Sequence, residues 1–544
     1  MSPKIKVVYR NNIAYNVDKI TKIVTSTHIY RRRNRQLDIQ NATPSLRRIA
    51  AVRFPVVLLF CLLILSTASA AAEGSHAGIG EYIGAETCLA CHQKEGEDFV
   101  TSIHNTWRGE ATHVVGKEGN MTGKVLGVNE FCVGTKSNEA LCGKCHAGSG
   151  TCCKCECDCA VKKMICPIEK IDCLVCHAPN YKKTMLGPDP SIDATAAARS
   201  VMIPTRAMCL RCHATAGGGD NNKRGDLELS MGAAEVSRDL DVHMSANMTC
   251  QDCHTFKDHH VSGRGMDLRV DDTDTPTTCD DRRCHGSKPH SEGSMYNKHA
   301  DRLYCTACHV ISYGKEQTVE ISRNWETRHL EHLGAKVMYH EMIVRESNPA
   351  PIHVWWNRWS EIMDLADPAV LDDDGVVVMA KPVGNINNSA SKIYAARLHL
   401  GRQPWNGTHM LPFKVMTVKT TDNMTQAIFD ATGKIFDPVQ YVDAKRYMGL
   451  FHGVSPKDEA LTCTDCHKDH AVDFEALGYD VEKDASGNLI SATKPGDSLN
   501  LVNFRTNGDT ETCVCPDEEC TPGFGIIPAL LGLLAVMYLL RRRN

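Results

Sequence analysis

The sequence predicts a mainly α-helical fold with long loops and little β-structure, in which bound cofactors form much of the core. Three observations point to this fold. The 544 residues include 27 cysteines and 25 histidines, whereas aromatic residues make up only 6%. Most cysteines occur as C-x-x-C followed directly by histidine, the attachment signature of c-type haem. Stacked haems would then replace aromatic side chains in the core, and packing on haem faces favours helices and loops over sheets.

Eight motifs of this kind can be read in the chain. Two thiols bind the haem and the adjacent histidine reaches the iron from the same side, so the three residues are needed together. The regular motifs are Cys88/Cys91/His92, Cys142/Cys145/His146, Cys173/Cys176/His177, Cys209/Cys212/His213, Cys250/Cys253/His254, Cys305/Cys308/His309 and Cys463/Cys466/His467. The eighth, Cys279/Cys284/His285, has four intervening residues instead of two, and a redox disulfide or a zinc pair is its alternative interpretation. The sequence thus predicts eight covalently bound haem c groups.

Composition and charge exclude several other classes of protein. Disulfide bonds alone would explain the cysteines but not the histidines, and zinc sites normally set one C-x-x-C pair against another. A net charge of −4 and a pI near 6.7 provide no positive field for nucleic acid. The pattern also excludes disordered, collagen-like, coiled-coil and polytopic membrane proteins.

The two ends of the chain predict export and anchoring. Residues 1–70 are expected to be a basic extension and a signal peptide, in which the apolar run 56–65 precedes an A-x-A-like cleavage site at Ala70. Residues 521–544 contain Pro-Gly-Phe, the apolar stretch 525–540 and three arginines, and look like the sorting tag of archaeal surface proteins. An uncleaved N-terminal anchor and an ordinary C-terminal transmembrane anchor are the alternatives. We therefore expect an exported body on the outer face of the cytoplasmic membrane or on the cell surface, anchored at its C-terminus.

The rest of the chain is divided by its motifs. Residues 71–474 form the predicted octahaem domain, and residues 475–520 form a polar stalk with three cysteines. Residues 310–462 contain no haem motif but hold five of the six tryptophans. We expect this region to be built of mixed helices, with a short hairpin near Lys414–Thr420, and to cover the late haems.

The stretches between the motifs carry a further signal. They are N-E-F-C at 129–132, S-N-E at 137–139, G-G-G-D-N-N-K-R-G-D-L at 217–227, D-V-H-M at 241–244, N-K-H at 297–299, W-W-N at 355–357, K-I-Y at 392–394 and F-H-G at 451–453. With these stretches in this order, the chain resembles the octahaem tetrathionate reductase family, relatives of hydroxylamine oxidoreductase, from about Cys88 to His467. The resemblance implies seven haems with two histidine ligands for electron transfer and one active-site haem with a lysine ligand.

The resemblance also implies an active site. It places the special haem at the second motif, with His146 as the proximal ligand and Lys223 as the axial ligand on the other side. Cys132 would lie nearby in the substrate cavity, and Asp226 would contribute to the site or anchor its loop. Burial would lower the pKa of the Lys223 amine and free its lone pair for the iron. From the residues alone, Lys223 and Asp226 also fit a solvated Gly/Asn-rich turn, and Cys132 a buried structural thiol.

The implied arrangement requires seven further histidines as second iron ligands. Because eight of the 25 histidines belong to motifs, 17 are available. The predicted set, one larger than required, is His104, His113, His243, His259, His290, His299, His399 and His452. His260 competes with His259, and His353 or His409 competes with His399. Two imidazoles leave no open position on the iron, so such haems relay electrons.

One cysteine-rich segment departs from the family. Five of the residues from Cys152 to Cys159 are cysteines, and Cys166 follows. The segment is compatible with an extra soft metal held by thiolates, with disulfide bonds in an oxidising compartment, or with redox chemistry. Because it directly follows the second motif, it bears on the choice of substrate.

Three functional hypotheses follow. The first is an extracytoplasmic octahaem oxidoreductase that reduces a small sulfur or nitrogen compound, such as tetrathionate, nitrite or hydroxylamine, at the lysine-ligated haem. Its partners would be redox proteins or quinol-linked electron donors, the small inorganic substrate and the membrane; nucleic acid is excluded and an oligomer is compatible. The second hypothesis is a non-catalytic surface conduit for electrons. The third is a hydroxylamine-oxidising enzyme, for which relatives use a tyrosine crosslinked to the haem; Tyr313 and Tyr339 are candidates only by location.

Overall fold

The structure is a computed structural model that describes residues 76–128, 134–148, 166–184, 187–263, 277–334, 336–467, 471–487 and 489–496. Helix makes up 23% of it and strand 25%, and its largest element is a mixed seven-stranded sheet. The prediction of a mainly α-helical fold with little β-structure is therefore wrong. That prediction was drawn from the haem motifs, whereas the strands of this sheet lie between residues 319 and 449, where there is no motif.

Most of the haem motifs lie on short helices. One helical turn places residues three apart on the same face, so both thiols of a C-x-x-C pair point to one side. The α-helices are α1 (Ala85–Thr101), α2 (Ile103–Thr106), α3 (Glu139–Cys142), α4 (Leu174–His177), α5 (Ala194–Arg199), α6 (Arg206–His213), α7 (Val242–Ser245), α8 (Cys250–Cys253), α9 (Met295–His299), α10 (Thr306–His309), α11 (Val415–Thr421), α12 (Met424–Thr432) and α13 (Cys463–His467). The wider motif forms a turn instead, in which the Cys284 amide donates to the Asp281 carbonyl at 2.9 Å.

An aspartate cap shows how these short helices are positioned. Asp241 accepts hydrogen bonds from the backbone amides of His243 and Met244, at 2.8 and 2.9 Å, and so begins α7. Its other carboxylate oxygen accepts from the Gly453 amide at 2.9 Å. The cap therefore fixes His243 beside the segment that carries His452.

The strands fall into one large sheet and four small hairpins. They are β1 (Gly109–Glu110), β2 (Met121–Thr122), β3 (Lys183–Thr184), β4 (Gly187–Pro188), β5 (Phe256–Lys257), β6 (His260–Val261), β7 (Val319–Leu333), β8 (Lys336–Glu346), β9 (Ile352–Trp356), β10 (Trp359–Ile362), β11 (Val377–Val383), β12 (Lys392–Trp405), β13 (Gln440–Gly449), β14 (Asp480–Lys483) and β15 (Leu489–Thr493). The large sheet has the order β10-β11-β13-β12-β7-β8, and β9 also pairs with β12. Pairs β12–β13 and β7–β8 are antiparallel, whereas β12–β7 and β11–β13 are parallel.

The segment near Lys414–Thr420 is helical, so the predicted hairpin there is also wrong. It forms α11, and Asn423 then caps α12 by accepting from the Gln426 amide at 2.8 Å. Both helices pack on the sheet around Trp325 and Phe413, whose ring centres lie 4.9 Å apart. The Val/Thr-rich sequence favoured a strand, but tertiary packing overrides such local preferences.

The first part of the predicted stalk packs against the sheet. Ala492 of the β14–β15 hairpin is fully buried, and Trp355 Nε1 donates to the Leu477 carbonyl at 2.8 Å. Within the described residues, no helix has the length and apolar character needed to cross a membrane. The predicted signal peptide and sorting tag, residues 1–70 and 521–544, lie outside them.

Candidate functional site

Seven motif histidines each face a second histidine across a similar gap. The ring centres of the two partners lie between 6.0 and 6.3 Å apart. The pairs, motif histidine first, are His92 with His76, His177 with His259, His213 with His104, His254 with His452, His285 with His243, His309 with His290 and His467 with His299. Six of these second histidines belong to the predicted set of distal ligands.

The spacing fits a metal ion held between two imidazoles. Each nitrogen binds at about 2 Å and the ring centre lies roughly 1 Å behind it, so two rings on one metal have centres about 6 Å apart. Two polar atoms inside motifs, Gln251 Oε1 and Thr306 Oγ1, are buried with no hydrogen-bond partner among the described residues, as expected if a further group packs there. The residues therefore fit bound haem.

Two of the predicted ligands occupy other positions. The His113 ring lies edge-on to Trp359, with ring centres 5.3 Å apart. His399 lies on β12 and is 4% exposed, and its Nε2 is 2.9 Å from Glu320 Oε1. Burial in the sheet explains why a histidine occurs at position 399 without a nearby motif.

Sequence reasoning missed His76, which lies upstream of every motif. The ligands were sought near and after their own motifs, whereas the structure pairs histidines across motifs. His104 follows the first motif but faces His213 of the fourth, and His76 faces His92. The only sequence signal was the short distance between His76 and the first motif.

The choice between His259 and His260 is explained by a tight turn. Asp258 and His259 have φ angles of 50° and 61° and link β5 to β6, as in the two-residue turns that match strand twist. This turn presents His259 to His177, with ring centres 6.2 Å apart. His260 points elsewhere, and its Nε2 lies 3.0 Å from Thr101 Oγ1.

Burial keeps these imidazoles neutral, which is the form that binds a metal. Removal from water lowers the pKa of both His213 and His254 to about 4. It lowers the pKa of His104, His177, His299 and His309 in the same direction.

Sulfur atoms of different motifs are in contact. The thiols form hydrogen-bonded pairs between Cys88 and Cys173, Cys145 and Cys212, Cys209 and Cys250, and Cys279 and Cys305. Because haem is attached through such sulfurs, each contact brings two attachment points together. Fifteen motif cysteines are free thiols. The sixteenth, Cys463, forms a disulfide bond, which must open before that sulfur can carry haem.

His146, the histidine of the second motif, has a different environment. The ring that faces it among the described residues is the indole of Trp107, at 4.5 Å between centres and an angle of 71°. Its Nε2 lies 3.3 Å from the Asn105 carbonyl, and its Nδ1 lies 3.7 Å from Cys166 Sγ. Only 5% of the residue is exposed.

A buried ionic pair lies behind His146 and was missed from the sequence. Lys183 Nζ donates to the carbonyls of His146 and Gly148 and lies 3.9 Å from Asp172 Oδ2. Tyr181 donates to the same carboxylate at 2.7 Å. Both charged side chains are 2% exposed. Neither residue belongs to a recognisable motif, so no sequence pattern pointed to this anchor.

Lys223 lies in a compact loop that follows α6. The Asn221 amide donates to the Ala214 carbonyl at 2.9 Å, which ties the loop to the end of the helix. Asn221 is fully buried and has a φ of 58°, a conformation that asparagine tolerates better than most residues. Lys223 itself is partly buried. Cys132, the predicted neighbour in the cavity, lies outside the described residues.

Asp226 holds His452. Its Oδ2 accepts from the amides of Phe451 and His452, at 2.9 and 3.1 Å, and lies 3.1 Å from His452 Nδ1. Arg224 Nε donates to Oδ1 at 3.1 Å. Burial opposes ionisation, but Arg224 and His452 outweigh it, and the pKa of Asp226 lies well below its usual range. The carboxylate is therefore charged and orients the His452 ring.

Comparison with other proteins adds independent findings. Residues 335–470 match the family described as "Cytochrome c bacterial", and residues 521–543 match the PGF-CTERM motif. The crystal structure of an octaheme cytochrome c from Shewanella oneidensis is similar over 75% of this chain and 97% of its own, with 27% identity and a TM-score of 0.63. An uncharacterized protein of Archaeoglobus fulgidus is 28% identical over 239 residues, covering 35% of this chain and 79% of that protein.

These similarities agree with the repeated motifs and the facing histidines. This chain is a multihaem c-type cytochrome. It binds haem c covalently, as predicted. The C-terminal motif marks the cytochrome as exported and anchored at the cell surface through its C-terminus, which confirms the predicted localisation.

The remaining candidates in the cytochrome are placed as follows. The segment Cys152–Cys166 lies outside the described residues except for Cys166, which is buried and disulfide-bonded. The described residues contain no group of three or more histidines, cysteines or acidic residues suited to a further metal. Tyr313 is buried beside the Lys223 loop, and Tyr339 lies on β8.

Proposed function

We propose that this cytochrome is an extracytoplasmic octahaem oxidoreductase that reduces a small sulfur or nitrogen compound at the haem of the second motif. Tetrathionate, nitrite and hydroxylamine are the candidate substrates. The observation that carries the proposal is the contrast among motif histidines. Seven face another imidazole, whereas His146 faces Trp107.

The bound haems supply one-electron transfer, and a haem with an open or displaceable position also binds substrate. The seven facing pairs are proposed as bis-histidine ligands, with His76 replacing His113 and His399 in the set inferred from sequence. Lys223 is proposed as the displaceable axial ligand opposite His146, and Cys132 as a nearby cavity residue. The resemblance of the 217–227 stretch and the partial burial of Lys223 support this assignment.

The sulfur contacts support a route for electrons through the protein. They join the first motif to the third, the fourth to the fifth, and the sixth to the seventh. The contact between Cys145 and Cys212 links the second motif to the fourth. The proposed site of reduction is therefore a branch from the relay rather than its end. Redox proteins or quinol-linked donors would supply the electrons.

The roles of the flanking residues follow from their contacts. The Lys183–Asp172 pair fixes the backbone on which His146 stands. Asp226 is proposed to act through His452, because a carboxylate on Nδ1 fixes the ring and raises its basicity as a ligand. Asp226 is thus a positioning residue for the relay.

A conduit without catalysis is the second candidate. It is favoured by the exposure of Cys91, Cys253 and Cys284, which puts three haem attachment points at the surface. A partner could then exchange electrons directly at several sites.

Optical and EPR spectra of the purified protein, with and without cyanide or nitric oxide, separate the two candidates. An oxidoreductase is expected to show one haem that binds the added ligand, and Lys223→Ala is expected to alter the signal of that haem alone. Turnover with tetrathionate, nitrite or hydroxylamine then identifies the substrate. Eight low-spin haems that bind no added ligand would contradict the proposal and favour the conduit.

A further inference from the structure

The loop that carries Lys223 is bound to the sheet through its backbone. Arg397 on β12 donates from Nη1 to the carbonyl of Lys223 at 2.8 Å and to that of Asn222 at 3.3 Å. Arginine suits this task because its planar fork donates several hydrogen bonds in fixed directions. The side chain of Arg397 is fully buried, so water does not compete for these carbonyls.

Two arginines on neighbouring strands hold other parts of the same loop. Arg323 on β7 donates to the Gly217 carbonyl at 3.4 Å. Arg345 on β8 donates to the side-chain oxygen of Asn222. Strands β12, β7 and β8 are adjacent in the sheet. The loop is therefore fixed at both ends and in the middle by one rigid surface.

Arg397 is itself held in place from several sides. Its Nη2 donates to the Glu320 carbonyl, and its guanidinium lies 5.8 Å from the centre of the Tyr313 ring. A Cβ at Gly225 would lie 2.8 Å from Tyr313 and 3.2 Å from Arg397, so the loop reaches this surface only because residue 225 is glycine. Burial lowers the pKa of Arg397 to about 10, which leaves it charged at neutral pH.

The charges beneath the loop are mutually satisfied. Glu320 accepts from Arg323 Nε at 2.8 Å and lies 2.9 Å from His399 Nε2, while Arg323 Nη1 donates to Glu341 at 2.9 Å. Lys419 completes the network with a 3.1 Å contact to Glu341. A buried network of this kind is stiff, because each member is held by partners that are themselves held. His399, expected from the sequence to bind a haem, instead belongs to this support.

We propose that Arg397 is a positioning residue for Lys223. By binding the carbonyls of residues 222 and 223, it fixes where the lysine side chain starts and therefore where its amine reaches. The inference rests on the proposed function, in which Lys223 is the displaceable ligand of the haem at His146. The three arginines act together, with Arg397 making the only contact to the Lys223 backbone among these three.

The test compares Arg397→Gln and Arg397→Lys in the full-length, haem-loaded protein. Amide hydrogen exchange of residues 217–226 is expected to rise roughly tenfold or more in Arg397→Gln, because charge-assisted hydrogen bonds that oppose local opening are lost. Arg397→Lys is expected to fall between this variant and the unaltered protein, since it keeps the charge but not the fork. In both variants, cyanide binding and the EPR signal are expected to change at one haem only.

Arg302→Gln is the matched control. Arg302 also binds two loop carbonyls, those of Asn388 at 2.8 Å and Ile386 at 2.9 Å. Its loss is expected to speed exchange near those residues and to leave exchange at 217–226 and the cyanide-binding haem unchanged. If Arg397→Gln does not fold, Arg345→Gln replaces it, because Arg345 is exposed and contacts the same loop.

The outcomes separate this inference from the proposed function. Unchanged exchange at 217–226 in a folded Arg397 variant, or in Arg345→Gln if that variant is used, overturns the positioning role. Faster exchange with an unchanged haem signal also overturns it, provided that Lys223→Ala does alter that signal. If Lys223→Ala alters nothing either, the proposed lysine ligand is wrong and both ideas fall. Faster exchange with one altered haem supports both.

Discussion

The one-turn helices of the haem motifs bury little on their own, whereas the strands between residues 319 and 449 enclose large side chains completely. Around the fourth motif, the buried apolar cluster consists mainly of Leu210, Leu227 and Met231. On the sheet, Trp325 and Phe413 pack with two helices in a larger cluster of their own. The motif segments are therefore completed by cofactor, while the sheet is completed by side chains.

This difference predicts which part of the molecule depends on haem. Sites whose ligands are contributed by distant segments cannot close until the cofactor is present, so binding free energy becomes folding free energy. The sheet has no such requirement. It offers a rigid base against which the Lys223 loop is held by Arg397.

The largest effect is expected from preventing haem attachment. In protein produced without haem maturation, the motif segments are expected to lose protection from exchange and proteolysis entirely, because their cores lack the porphyrin. Strands β7, β12 and β13 are expected to stay protected. Peptide-level hydrogen exchange measures both regions in one experiment. Simultaneous loss of protection in the sheet would show that the two regions form one cooperative unit.

The next largest effect is expected within the sheet. Phe413→Ala removes a fully buried ring that contacts Trp325, and we expect a loss of about 3–5 kcal/mol in the free energy of unfolding. The haem spectra of the folded variant are expected to be unchanged. Phe429→Ala on α12 is the matched control, since Phe429 is 43% exposed and its loss is expected to cost less than about 1 kcal/mol. Denaturant unfolding followed by tryptophan fluorescence distinguishes the two, and equal losses would contradict this view of the core.

A smaller effect is expected where the two regions meet at Asp226. Asp226→Asn weakens the hydrogen bonds that hold His452 and is expected to cost about 2 kcal/mol of stability. Loss of the negative charge on Nδ1 makes the imidazole less basic, so one haem is expected to become easier to reduce. Potentiometric titration followed optically measures this.

Asp220→Asn is the control for that substitution. Asp220 lies in the same loop and accepts from the Leu229 amide at 2.9 Å. Its replacement is expected to leave every haem potential unchanged. A shift in Asp220→Asn as large as that in Asp226→Asn would mean that general loosening of the loop, rather than orientation of His452, sets the potential.

Local motifs were predictable and long-range pairings were not. A C-x-x-C-H unit is defined by adjacent residues, so the haem attachment points could be read directly from the sequence. No local rule joins His104 to His213 or His76 to His92, because those pairs depend on how separate segments pack. His399 was misassigned for the same reason: its Glu320 partner lies on a different strand.

The sheet was missed although the sequence contained a sign of it. Val319-Glu320-Ile321-Ser322 alternates apolar and polar residues, as expected of a strand with one buried face. The abundance of haem motifs favoured helices for the whole chain, but a motif predicts only the turn that carries it. The hydrogen bonds that fix the Lys223 loop were beyond reach, because backbone carbonyls have no sequence signature.

The smallest effect is expected from a charged link between the two regions. Lys117, from the segment after the first motif, lies 2.5 Å from both Asp364 and Asp367 next to the sheet. Because the pair is only partly exposed, Lys117→Met is expected to cost about 1 kcal/mol at neutral pH. Lys94→Met, which removes an exposed contact to Asp98, is expected to cost nothing measurable.

The pH dependence makes this last test specific. Burial raises the pKa of Asp364, while Lys117 opposes the rise. Removing Lys117 raises that pKa further, so the folded variant pays for a buried carboxylate at high pH but not once the carboxyl is protonated. The stability deficit is therefore expected to shrink as the pH falls through the Asp364 pKa. A deficit that is constant with pH would mean that Lys117 acts by packing, and that the motif segment and the sheet are joined here by contact rather than by charge.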